Sequence, residues 1–178
     1  MAITISGSGT MGTMASGGIT GGATITAGTA QASTSGTSID FTGIPSWVKR
    51  VTVMFNGVST NGSSNYLIQI GAGSVTSSGY TSAGVYITTS NSNITSSTAG
   101  FVIFNATGSA ASNSGSIILT LLSSNTWTAS GNLWAGATYI LSNAGVSPAL
   151  SGALDRVRIT TVNGTDTFDA GSINILYE

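Results

Sequence analysis

Apolar and polar residues alternate in short runs along most of this chain, and clusters of Gly, Ser, Asn and Thr separate the runs. A period of two is the signature of a β-strand with one buried face. Ser38-Ile39-Asp40-Phe41-Thr42 alternates in this way. After Ile44-Pro45-Ser46 the stretch from Trp47 to Phe55 sets Val51, Val53 and Phe55 on one face, and Asn56-Gly57 then reads as a type I′ turn closing that strand. Further strands are expected at Tyr66 to Gly71, Gly84 to Thr89, Phe101 to Asn105, Ser116 to Leu122, Thr126 to Ala129, Thr138 to Leu141, Arg156 to Val162 and Ser172 to Tyr177. No window shows the i, i+3, i+4, i+7 apolar spacing of a helix, and Gly, Ser and Thr are poor helix formers. Many short strands at turn-punctuated intervals predict an all-β protein, a β-sandwich of jelly-roll-like character, with the strand order left open. A fixed-period repeat, as in a propeller or solenoid, is absent from the sequence.

Residues 1–35 differ from the rest: two alternating runs, Ala2-Ile3-Thr4-Ile5 and Ala23-Thr24-Ile25-Thr26, flank a segment holding Gly7, Gly9, Gly12, Gly17, Gly18, Gly21 and Gly22. Such a stretch has too few apolar side chains for a core of its own. It reads as an extended arm that adds strands to, or threads between, partner subunits, ahead of a β-sandwich domain at 36–178.

Composition sharpens this picture. Of 178 residues only 5% are charged, the net charge is −1, and His and Cys are absent. A mean hydropathy of +0.34 sets the chain apart from disordered proteins. A surface so poor in charge is solvated by hydroxyls, amides and backbone, which suits rigid β-structure and contact with neighbouring copies. Four basic residues give no field to attract nucleic acid or an anionic bilayer, so neither is an expected partner. No basic n-region with an apolar stretch and no membrane-length apolar run is found, so synthesis in the cytoplasm is expected and the N-x-S/T matches at Asn61, Asn93, Asn105 and Asn163 read as chance.

Without His or Cys, Ser-His-Asp and Cys-His catalysis and the usual zinc sites fall away, and no G-x-S-x-G elbow occurs. Gly7-Ser8-Gly9-Thr10-Met11-Gly12 matches the dinucleotide-binding spacing, but Ala15-Ser16-Gly17-Gly18 breaks the helix that such a site requires. The remaining catalytic option is a carboxylate pair drawn from Asp40, Asp155, Asp166, Asp169 and Glu178, as in a glycosidase. Asp166 and Asp169 sit in a turn-like stretch before the last strand, where Asp commonly accepts from nearby backbone amides. The expectation is therefore a protein without catalytic residues, metal or cofactor.

Arg156 and Arg158, two apart on a strand, share one face, and Lys49 and Arg50 form the second basic pair. They are read either as a solvated face paired with nearby Asp residues or as inter-subunit salt bridges. Tyr80, Trp127 and Trp134 lie among Ser, Asn and Gly, the setting in which aromatic faces stack on sugars. They are candidate receptor or glycan contacts, and core or interface residues otherwise.

Three stretches taken together carry a resemblance: Met1-Ala2-Ile3-Thr4-Ile5-Ser6-Gly7-Ser8-Gly9, the run from Gly36 to Gly62 that includes Ile39-Asp40-Phe41-Thr42-Gly43-Ile44-Pro45, and Asp166-Thr167-Phe168-Asp169-Ala170-Gly171-Ser172-Ile173-Asn174-Ile175-Leu176-Tyr177-Glu178. The chain resembles tailed-bacteriophage virion proteins of the tail-fibre-like kind, in which a short amino-terminal segment precedes a carboxy-terminal β domain. The resemblance implies a virion structural protein, typically a homotrimer, contacting other virion proteins and possessing a surface for host glycan. Longer members carry a repetitive shaft, whereas only the Gly-rich stretch intervenes here. That points to a compact tail-tip projection or, alternatively, to a capsid decoration protein. A glycan depolymerase is the remote third reading.

Overall fold

A computed structural model of the chain describes residues 25–105, 108–110, 112–136 and 138–178. Residues 1–24 of the expected arm, with the Ala2–Ile5 run and the Gly7–Gly12 match, lie outside the described residues.

The described chain is almost entirely β, in two antiparallel sheets. The larger has nine strands. In spatial order these are β1 (Thr26–Ala27), β14 (Phe168–Tyr177), β4 (Arg50–Thr60), β10 (Asn113–Ser123), β11 (Thr126–Ala135), β12 (Tyr139–Val146), β7 (Thr81–Ile87) and β8 (Ser92–Ser97), with β2 (Gln31–Ala32) beside β1 on β14. The smaller runs β3 (Ile39–Thr42), β13 (Arg156–Thr161), β5 (Tyr66–Ala72) and β6 (Ser74–Val75), with β9 (Phe101–Ile103) also on β5. The expected sandwich is thus present.

Alternation builds the core. Val51, Val53 and Phe55 of β4, Ile117 and Leu119 of β10, and Leu133 of β11 meet Ile68 and Ile70 of β5, Phe101 of β9, and Val157 and Ile159 of β13 in one buried cluster. Each such side chain contributes about 1.5–3 kcal/mol by leaving water. β5 is buried on both faces: Leu67 and Gln69 are covered as well as Ile68 and Ile70. Gln69 donates its side-chain N–H to the Ala99 carbonyl at 2.9 Å, holding the 98–100 segment over the strand.

Asn56-Gly57 does not end its strand. Backbone pairing continues to Thr60, and the register with both β10 and β14 shifts beside Gly57, whose φ is +65°. A glycine of positive φ serves a β-bulge as well as a hairpin turn. The bulge wins here because Val58, just past it, is fully buried. Across the pair, Gly171 of β14 has φ +91°, and a Cβ there would lie 2.4 Å from the Gly57 carbonyl oxygen. Two backbones therefore approach closely at the bulge.

The last part of the expected arm lies on the sheet. Thr26 and Ala27 pair with Tyr177 and Leu176, Gln31 and Ala32 pair with Ile173 and Ser172, and buried Ser33 bonds the Ala170 and Gly171 carbonyls at 2.8 and 3.0 Å. β8 is a strand that the sequence reading leaves as loop.

Candidate interaction surface

The four basic residues separate by sheet. On the outer face of the small sheet Arg158 stands directly across from Asp40, and its Nε and Nη2 donate to the two carboxylate oxygens at 2.7 and 2.8 Å. Arg156 bonds Asp155 at 2.7 and 3.2 Å. Those bonds, aided by the Gly73 N–H at 3.0 Å, hold the Asp155 carboxyl below the usual carboxylate range. Arg50 pairs with Glu178 at 3.0 Å, across β4 and the end of β14. So Arg50, Arg156 and Arg158 have carboxylate partners within their own chain. Lys49 has none among the described residues, although its backbone N–H donates to the Glu178 carbonyl at 2.8 Å.

The aspartates are likewise engaged. Asp166 accepts from the Ser64 N–H, distant in sequence, at 2.9 Å and from the Asn163 side-chain amide at 2.5 Å, while within the turn it is the Asn163 side-chain oxygen that accepts the Thr165 and Asp166 N–H groups; Asp169 accepts from the Ser59 hydroxyl. Among the described residues no group of three or more carboxylates forms a cation site.

The aromatic candidates do not come together. Tyr80 is 1% exposed, its hydroxyl bonded to the Ile70 N–H at 2.9 Å and the Thr76 carbonyl at 3.0 Å, and its ring meets Phe101 edge-on at 5.1 Å. Trp127 is also 1% exposed. Neither ring has a face free for a sugar, because Trp127 is on the inward face of β11 and Tyr80, just before β7, is packed into the core against Phe101; as receptor contacts they are corrected to core residues. Trp134, on the opposite face of β11 from Trp127, is 53% exposed.

Trp134 belongs to a surface that the sequence reading missed. Cross-strand register places Ser114, Trp134, Ile140, Ile87 and Ser92 in one row across β10, β11, β12, β7 and β8. The adjacent row ends in Ser142, Val85 and Ile94. All of these project from the outer face of the large sheet, and Ile87, Ile94, Trp134 and Ile140 rank among the most exposed large hydrophobics. The apolar group spans four strands, about 14 Å at ordinary strand spacing. Elsewhere this face carries Thr52, Met54, Ser116, Ile118, Thr128, Ser130, Asn132 and Ala144. Among the described residues its charges are few: Arg50 and Glu178, paired at one corner, and Asp169, which is exposed at the start of β14 and accepts from the Ser59 hydroxyl. The signal was present in β11, where Thr128, Ser130, Asn132 and Trp134 alternate, but the exposed isoleucines became neighbours only through register.

A cleft of about 380 Å³ lies between the β1–β2 edge and β3, lined by Gly28, Gln31, Asp40, Thr42, Ile175 and Tyr177 among others. Its carboxylate is the one held by Arg158, so it offers no free acid or base. No protein-family model, curated protein or solved structure matches this chain.

Proposed function

We propose that this chain is a non-enzymatic structural subunit of a bacteriophage virion, a tail-fibre-like or tail-tip component that assembles with copies of itself. The observation that carries the reading is the outer face of the large sheet: many strands wide, nearly free of charge apart from the Arg50–Glu178 pair and Asp169, both toward its β4–β14 side, and bearing an exposed Trp134–Ile140–Ile87–Ile94 group. Contiguous exposed apolar surface of this kind marks a contact site, and a neutral face is satisfied by another neutral face. The resemblance of both ends of the β domain to tail-fibre-like proteins supplies the virion context. The engagement of Asp40, Asp155, Asp166 and Asp169 by guanidinium, amide or hydroxyl groups gives the depolymerase reading little to work with.

A capsid decoration role is the second reading, favoured by residues 26–32 lying along β14, so that the described chain has no shaft. Locating the chain in a particle reconstruction tests both readings. Density for the β domain on the tail supports the first and density on the head lattice supports the second. Absence from purified particles overturns both.

A further inference from the structure

We propose that β8 is an acceptor edge, completed by the Ala2-Ile3-Thr4-Ile5 run of a second copy added as a further strand of the large sheet. The inference rests on the assembling-subunit reading above and adds to its face contact an edge contact, both of which assembly requires.

β8 is the last strand of its sheet, and among the described residues it pairs only with β7. Natural edge strands are usually blunted by charge, proline or a bulge. Ser92-Asn93-Ile94-Thr95-Ser96-Ser97 has no charge and no proline, and its register with β7 is unbroken over six pairs. Two of its alternate amides are held by a local stand-in. The Ser92 N–H donates to the Asn91 side-chain oxygen and the Ile94 N–H to that of Asn93, each at 2.8 Å. The same device covers the Ile175 N–H, through Asn174, in the gap between β1 and β2 where β14 lacks a strand partner. Carbonyls of an incoming strand would replace these asparagine oxygens at the spacing of alternate residues.

The occupant is argued from the chain itself. Residues 1–24 precede the described structure and join it at Ile25, beside β1, at the edge opposite β8. Seven strand spacings separate those edges, about 34 Å. Copies set edge to edge in head-to-tail fashion bring the start of β1 in one copy beside β8 of the next, the arrangement that closes into a ring. A segment of 24 residues spans up to about 80 Å, ample for that reach. Ile3 and Ile5 share one face of an extended strand and would extend the apolar row beyond Ile94, which is 69% exposed.

The test uses the full-length chain, an Ile94→Lys variant and an Ile3→Glu/Ile5→Glu variant, followed by sedimentation velocity and by hydrogen exchange of the Ser92–Ser97 amides. In the unaltered assembly these amides should exchange at least about tenfold more slowly than after dilution to monomer. Each variant alone should lose assembly while keeping the unfolding midpoint of the unaltered monomer, and a chain carrying all three substitutions should regain assembly, because every new lysine then meets new glutamates. Protection that survives dilution to monomer would mean that the chain's own run folds back, and would overturn the exchange between copies. Assembly unaffected by either variant would overturn the edge contact while leaving the subunit reading intact. A chain monomeric under all conditions would instead remove that reading itself.

Discussion

The hydroxyl of Tyr80 illustrates how a polar group is held inside an apolar sandwich. It accepts the Ile70 N–H and donates to the Thr76 carbonyl, while burial pushes its pKa up from 10.0 to about 12, against the opposing pull of the Ile70 bond. The folded state therefore holds this proton more tightly than the unfolded chain. Its contribution is fully present below pH 10 and is lost as pH rises toward about 12, where the unfolded phenol ionises first. Tyr66, also raised by burial, adds in the same direction. Tyr80→Phe should cost about 1–3 kcal/mol at neutral pH, because the Ile70 N–H loses its acceptor inside the core. It should also flatten the loss of stability between pH 10 and 12. Urea unfolding of both proteins across that range checks the two effects, and an unchanged neutral-pH midpoint would contradict the first.

At the level of elements, the bulge in β4 gives the sharpest expectation. Gly171→Ala would force a Cβ into the Gly57 carbonyl at a positive φ, whereas at Gly164, φ +67°, a Cβ meets nothing within 4 Å. The first substitution should cost more than about 2 kcal/mol and the second about 1 kcal/mol, read as the difference between their unfolding midpoints. Equal costs would place the strain elsewhere. The same element shows how far the sequence could be read. The alternation of Val51, Val53 and Phe55 gave β4 its inward face, because burial on one side is written as a period of two. The end of the strand was not legible: Asn-Gly is the local signal for a turn and also for a bulge, and the choice was made by burial of Val58 beyond it. β8 was missed for a related reason. Its residues, Ser92 to Ser97, contain Ile94 alone as a large apolar side chain, so no alternation marks an edge strand whose pairing is supplied by β7. Trp127 and Trp134 looked alike in sequence, yet their odd spacing along β11 sends one inward and the other outward.

On the scale of the whole molecule, charge and apolar surface are distributed with a clear sense. Two ion pairs lie at the small sheet, one closes a corner of the large sheet, and the broad outer face of the large sheet from β10 to β8 is free of charge among the described residues. Exposed pairs of this sort contribute about 0.2–1 kcal/mol each, so they are minor in the fold and leave no long-range field for steering. Association through the neutral face should then be driven by apolar burial and be insensitive to salt. Sedimentation velocity of the full-length chain at micromolar concentration, at low and at high salt, is the direct measurement. The account predicts one assembly of fixed stoichiometry that persists as salt is raised and that Trp134→Lys converts to monomer; a monomer in both buffers, or an assembly that dissolves with salt, would contradict it.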